Sequence, residues 1–137
     1  MGQIGNEFGT VTGRPRRCGW FDAVLLRYAV RLNSLTELFV TKLDVLSGLS
    51  ELRLCVAYRA DGETFEDFPP HQSVVHRAEP VYEDMEGWTE DVAEAARAED
   101  LPPAARKYVE RIADLSGVPL RWVSIGPERD RTLEMPS

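Results

Sequence analysis

The sequence predicts an α/β fold, a mixed sheet with flanking helices, on three observations. Short apolar runs at Leu38–Thr41, Leu52–Tyr58 and Leu120–Ile125 read as buried strands. Two segments, one after Asp22 and one after Pro102-Pro103, carry apolar residues at the helical period. These patterns alternate along 137 residues, the size of one domain.

The elements follow in order. Residues 1–19 are glycine-rich without apolar period and read as a loop, because glycine admits positive φ and close backbone approach. Asp22 can cap a helix whose stripe is Val24, Leu25, Tyr28, Ala29 and Leu32, ending at Asn33-Ser34. After two strands, Asp61-Gly62 signals a hairpin with Glu63–Phe68 as the returning strand. The prolines and histidines of Pro69–Glu79 suggest a surface loop, and Val81–Met85 a short strand. Thr89–Ala98 reads as a helix with Val92, Ala93 and Ala96 on one face. A better-marked helix begins at Pro102-Pro103, runs through Ala105, Tyr108, Val109, Ile112 and Leu115, and stops at Gly117. Leu120–Ile125 is the last strand, broken by Gly126-Pro127, so 20–127 form the α/β body and 128–137 a polar tail.

Composition narrows the function. A net charge of −7 hides a local balance of +3 over residues 1–35 and −11 over residues 61–100. The acidic half would repel an extended nucleic-acid track, so no nucleic-acid partner is expected, while the early arginines leave room for a local anion site. No apolar run reaches the ~20 residues of a membrane span, so no membrane partner is expected either. Cys18 and Cys55 lack C-x-x-C spacing and are too few for a disulfide scaffold, which suggests a reduced, cytoplasmic protein.

Three segments can carry chemistry. Thr41-Lys42-Leu43-Asp44 follows a buried strand. An Asp carboxylate there can accept the N1–H and exocyclic amine of guanine while a Lys stem lies along the ring, and adenine offers no matching donor pair. A solvated salt bridge or a helix cap has the same spacing. Thr10-Val11-Thr12-Gly13-Arg14-Pro15-Arg16-Arg17 combines glycine-flanked amides, hydroxyls and arginines, suiting an anion cradle or a flexible basic loop. No G-x-x-x-x-G-K-[ST] phosphate loop occurs. Ser124-Ile125-Gly126-Pro127 is a strand end turned sharply. His71 and His76 lack companions for a metal site, Cys18 follows three arginines without a base partner, and Trp20, Trp88 and Trp122 read as core or interface anchors.

These pieces occur together and in order. G-N-E-F-G-T-V-T-G-R-P-R-R-C-G-W-F-D (Gly5 to Asp22), L-T-E-L-F-V-T-K-L-D-V-L-S-G-L (Leu35 to Leu49), L-C-V-A-Y (Leu54 to Tyr58) and S-I-G-P-E-R-D (Ser124 to Asp130) closely resemble the carboxyl-terminal part of adenylosuccinate synthetase. P-V-Y-E-D-M-E-G-W (Pro80 to Trp88) and L-P-P-A-A-R-K-Y (Leu101 to Tyr108) fit the same family. The resemblance covers essentially the whole chain, 1–137, as one carboxyl-terminal portion of that larger fold.

The resemblance implies a ligase of purine biosynthesis that joins L-aspartate to IMP using GTP and Mg2+. In that family GTP phosphorylates the purine 6-oxygen, and the aspartate amine then displaces phosphate. Carried over by motif, Thr10, Val11, Thr12, Gly13 and Arg14 would form the aspartate and IMP loop. Arg16 would reach the GTP phosphates, and Lys42, Leu43 and Asp44 would form the guanine pocket with Ser124, Ile125 and Gly126. Members are several-fold longer and act as cytoplasmic homodimers. Their phosphate loop, catalytic Asp and His, Mg2+ ligands and most of the IMP site lie in an amino-terminal portion with no counterpart here. The chain alone is therefore expected to be inactive. A free-standing guanine-nucleotide-binding or regulatory domain is the other reading.

Overall fold

The computed structural model describes residues 5–136. In chain order the elements are β1 (Phe21–Asp22), α1 (Ala23–Asn33), β2 (Leu38–Val40), β3 (Leu49–Ala60), β4 (Glu63–Phe65), α2 (Gln72–Arg77), β5 (Glu79–Trp88), α3 (Pro103–Ser116), β6 (Leu120–Ser124) and β7 (Thr132–Glu134). The fold is mixed α/β with two mixed sheets. In the first, β3 pairs in parallel with β1 and antiparallel with β4 and β5. In the second, β6 lies between β2, parallel to it, and the antiparallel β7.

Local chemistry explains the helices. The Asp22 carboxylate accepts the Leu25 amide at 3.0 Å, and Ser34 closes α1 in the left-handed conformation with its amide on the Val30 carbonyl. In α3 the apolar stripe Ala105, Tyr108, Val109 and Ile112 is buried, and Gly117 at φ 77° terminates it. Along β3, Leu52 and Leu54 face the core while Glu51 and Arg53 face water. Cys55, on the face opposite Leu54, is buried as well, and a bulge between Cys55 and Ala57 interrupts the pairing with β5 just beyond it. One apolar core joins Leu52 and Leu54 to Tyr108, Val109 and Ile112 of α3 and Val123 of β6.

Four segments differ from the sequence expectation. Pro69–Glu79 contains the short helix α2 rather than only loop. Thr89–Ala98 forms no α-helix. Asp91 caps a single 3-10 turn, Val92–Glu94, by accepting the Ala93 amide at 2.9 Å, and a second turn spans Ala98–Asp100. Val92 and Ala95 are buried while Ala93 is only partly so, a spacing of three that follows a 3-10 turn and not an α-helical face. The segment Val81–Met85 is the middle of the ten-residue β5, whose Asp84 and Glu86 face water while half-buried Glu83 shares the inner face with Val81 and Met85 and accepts from Arg111 of α3. Finally, residues 128–136 are not merely a polar tail: β7 pairs with β6, and Leu133 and Met135 enter the core.

Candidate functional site

The K-x-D motif sits where β2 ends. Lys42 adopts the left-handed conformation at φ 64°, ψ 37°, and a 3-10 turn, Leu43–Leu46, follows. Since β2 and β6 are adjacent and parallel, with Val40 opposite Val123, their carboxyl ends lie side by side. That register brings Thr41–Asp44 next to Ser124–Gly126, segments about eighty residues apart in sequence. Ligands of open α/β sheets bind at such carboxyl ends. The turn after β6 is closed locally: Ser124 Oγ donates to the Gly126 carbonyl at 2.9 Å, and the Ile125 amide donates to the Arg131 carbonyl at 2.9 Å.

Burial divides these residues by role. Leu43 and Ile125 are buried in the core, so their side chains anchor the two turns and only their backbones can meet a ligand. Lys42 is exposed, and Asp44, Ser124 and Gly126 are half-buried. The Asp44 carboxylate forms no ion pair among the described residues. A half-buried carboxylate beside a lysine can accept hydrogen bonds from a pair of neighbouring donors.

The arginine loop is a hairpin in miniature. Phe8 and Pro15 form a bridge, the Arg16 amide donates to the Glu7 carbonyl at 2.7 Å, and Gly9 and Arg14 close the tip through an amide–carbonyl bond of 2.8 Å. Gly13, at φ 65°, supplies the turn. Thr10, Val11, Thr12, Gly13 and Arg14 all face solvent at that tip, and Arg16 is exposed at its base.

One residue outside the two candidate segments joins them. Lys42 Nζ donates to the Gly5 carbonyl at 2.7 Å and to the Glu7 carboxylate, which also pairs with Arg16 at 3.5 Å. The Lys42 hydrogen bond, more than the two positive charges, holds the Glu7 carboxyl below its usual range. Glu7 lies in the Gly5–Asp22 stretch that carries the family resemblance, but as one acid beside a basic loop it shows no chemistry of its own in the sequence. Beside these residues a cleft of about 520 Å³ runs between α1, β2 and α3, lined by Arg16, Lys42, Phe21, Phe39, Val40 and Tyr108. Asp44 and Ser124–Gly126 lie outside it.

The remaining candidates stay apart. His71 and His76 are exposed, and among the described residues no cluster of three His, Cys, Asp or Glu side chains could hold a metal ion. Cys18 is exposed, whereas Cys55 is buried. Trp88 is a core anchor, its ring 6.0 Å from Tyr108 and its indole N–H donating to Ser47 Oγ at 3.1 Å. Trp122 is partly exposed beside Phe39, and Trp20 packs at the core margin. No helix among the described residues is long and apolar enough to cross a membrane.

Fold and site together define an α/β protein with polar turns gathered at the carboxyl ends of parallel strands. Comparison with known proteins makes this specific. The family model for adenylosuccinate synthetase matches residues 1–133. The adenylosuccinate synthetase of Desulforudis audaxviator (strain MP104C) is 58% identical over 131 residues, covering 96% of this chain and 30% of the relative. That of Streptomyces coelicolor (strain ATCC BAA-471 / A3(2) / M145) is 50% identical over 135 residues, covering 98% and 32%. The structure of fully ligated adenylosuccinate synthetase from Plasmodium falciparum superposes with a TM-score of 0.92 at 38% identity, covering 98% of this chain and 32% of that one. The chain belongs to the adenylosuccinate synthetase family. It spans about a third of the length of these relatives.

Proposed function

We propose that this chain is the carboxyl-terminal portion of an adenylosuccinate synthetase, the GTP-dependent ligase that joins L-aspartate to IMP, and that it contributes the guanine pocket and the aspartate loop. The observation that carries this reading is the parallel register of β2 and β6, which sets Lys42–Asp44 beside Ser124–Gly126. Asp44 accepts the N1–H and the exocyclic amine of guanine, and the Lys42 stem lies along the base. Ser124, Ile125 and Gly126 form the facing wall, with Ile125 acting from the core through its backbone. Thr10 to Gly13 present amides and hydroxyls to the aspartate carboxylates, Arg14 approaches aspartate and the ribose of IMP, and Arg16 reaches the GTP phosphates.

Proton transfer and metal binding belong to the part of the enzyme that this chain does not span. Mg2+, held there, supplies charge neutralisation on the phosphates. The complete enzyme works as a cytoplasmic homodimer, and this chain alone forms no product. The relatives described above are all synthetases, and no observation favours a free-standing regulatory domain.

Replacement of Asp44 tests the guanine assignment. In the complete enzyme, Asp44→Asn lowers kcat/KM for GTP and narrows the preference for GTP over inosine triphosphate, which lacks the exocyclic amine. One charge-assisted hydrogen bond corresponds to about 1.5–3 kcal/mol of that preference. An unchanged GTP KM and an unchanged preference would remove Asp44 from the pocket.

A further inference from the structure

The strained backbone of Lys42 and the grip on its side chain point to one cause. A non-glycine residue in the left-handed region costs on the order of 1 kcal/mol and persists only where its surroundings hold it. Here the ammonium is held by the Gly5 carbonyl and the Glu7 carboxylate, both contributed by the base of the arginine loop. The same Glu7 engages Arg16 twice, through its carboxylate and through its main-chain carbonyl. Glu7 therefore touches both segments assigned above to GTP, although it lies in neither motif.

We infer that Glu7 is a positioning residue, sharing its carboxylate between Lys42 and Arg16 so that the turn after β2 and the arginine loop are ordered as one unit. The inference rests on the guanine and phosphate roles proposed above. Two cations on one carboxylate give the arrangement its use. A triphosphate carries more charge than a carboxylate and offers several acceptor oxygens, so it outcompetes Glu7 for the Arg16 guanidinium. Lys42 remains on Glu7, and its pinned head keeps the alkyl stem in place for the base. Glu7 thus holds Arg16 near the phosphate position before GTP arrives and reports occupation of the turn to the loop.

NMR on the full 137-residue chain tests this in three measurements. First, backbone amide relaxation is compared for wild type and Glu7→Gln. The neutral side chain is expected to raise mobility at Arg14–Arg16 and at Lys42–Asp44 together, with the Leu25 amide of the α1 cap unchanged as a control for folding. Mobility as in wild type, or a change confined to the loop, overturns the inference. Second, Glu7→Gln combined with Lys42→Met is expected to loosen the loop no more than Glu7→Gln alone, since that change already breaks the Lys42–Glu7 link, whereas an added loosening as large as that of Lys42→Met alone would mean that Glu7 acts without Lys42. Third, guanosine, which offers the base to the turn but no phosphate to Arg16, is titrated into both forms. In wild type, resonances of Lys42–Asp44 and of Arg14–Arg16 shift together, and in Glu7→Gln the loop shifts are lost while those of the turn remain. Loop shifts that persist in Glu7→Gln count against the link. If guanosine moves no resonance in either form, the guanine reading fails, and the first two measurements still decide whether Glu7 couples the segments.

Discussion

The Tyr58 hydroxyl donates to one oxygen of the Asp22 carboxylate while the other oxygen accepts the Leu25 amide, so a single side chain ties the carboxyl-terminal end of β3 to the first turn of α1. Asp22→Ala removes a helix cap, which is typically worth about 1 kcal/mol, and leaves a half-buried hydroxyl without its partner, about 1 kcal/mol more. Tyr58→Phe loses only the second contribution. Urea unfolding should show both variants destabilised, with Asp22→Ala the worse. Equal midpoints for the two variants would mean that the cap contributes nothing.

Three buried or half-buried acids make the fold sensitive to alkali. Burial, followed by the nearby Asp22 charge, pushes the Cys55 thiol from 9.0 up to about 11, and burial pushes Tyr108 from 10.0 up to about 12. Tyr58 is raised by burial and then by its hydrogen bond to Asp22. In each case the unfolded chain releases its proton at lower pH than the folded chain. The stabilisation is complete below the unfolded values and is lost as pH rises through the folded ones. Unfolding midpoints should therefore hold steady to about pH 9 and fall progressively above it. In Cys55→Ala the decline should begin about one unit later, near the ordinary tyrosine value.

Gly87 permits the close approach of β5 to β3. A Cβ at this position would overlap the Leu49 carbonyl, a backbone atom that cannot swing aside. Gly87→Ala should cost about 2 kcal/mol or more by forcing the strands apart, and the damage should reach Trp88, the next residue and the partner of Leu49. Tryptophan fluorescence during denaturation would read both effects. A neutral substitution would show that the two strands separate at no cost.

Glu83 on β5 and Arg111 on α3 form a two-pronged pair with both contacts at 2.8 Å. The Arg111 hydrogen bond holds the Glu83 carboxyl below its usual range. Both side chains are more than a third exposed, so solvent limits the pair to less than about 1 kcal/mol. A depressed carboxyl contributes stability above its unfolded value and loses it as pH falls through the folded one. Glu83→Gln should therefore flatten the acid limb of the stability profile slightly and leave the neutral plateau lowered by a fraction of a kcal/mol. An acid limb identical to wild type would show the pair to be inert.

Much of this architecture is legible in the sequence, wherever local chemistry acts alone. The Asp22 cap and the helix opened by Pro102-Pro103 and closed by Gly117 emerge as expected, and so does the Asp61-Gly62 hairpin, although its returning strand stops at Phe65 and not at Phe68. Elements that depend on distant partners do not. Nothing local marks Thr132–Glu134 as a strand until β6 lies beside it, and the alternating charges of β5 hide its length until β3 pairs with nine of its ten residues. The site divides the same way. Lys42, Asp44 and the arginines are visible as residue types at a spacing, but the placing of Lys42–Asp44 beside Ser124 depends on the β2–β6 register, and Glu7 acquires a role only through contacts that no local pattern encodes.

The most direct test of the account is adenylosuccinate formation from IMP, L-aspartate and Mg-GTP. It would be measured with this chain alone, with the remaining two-thirds of a family member's polypeptide alone, and with the two combined. The account predicts product only in the combination, and much less of it when the chain carries Asp44→Asn. A combination that forms a stable complex yet makes no product, or product from this chain alone, would contradict it.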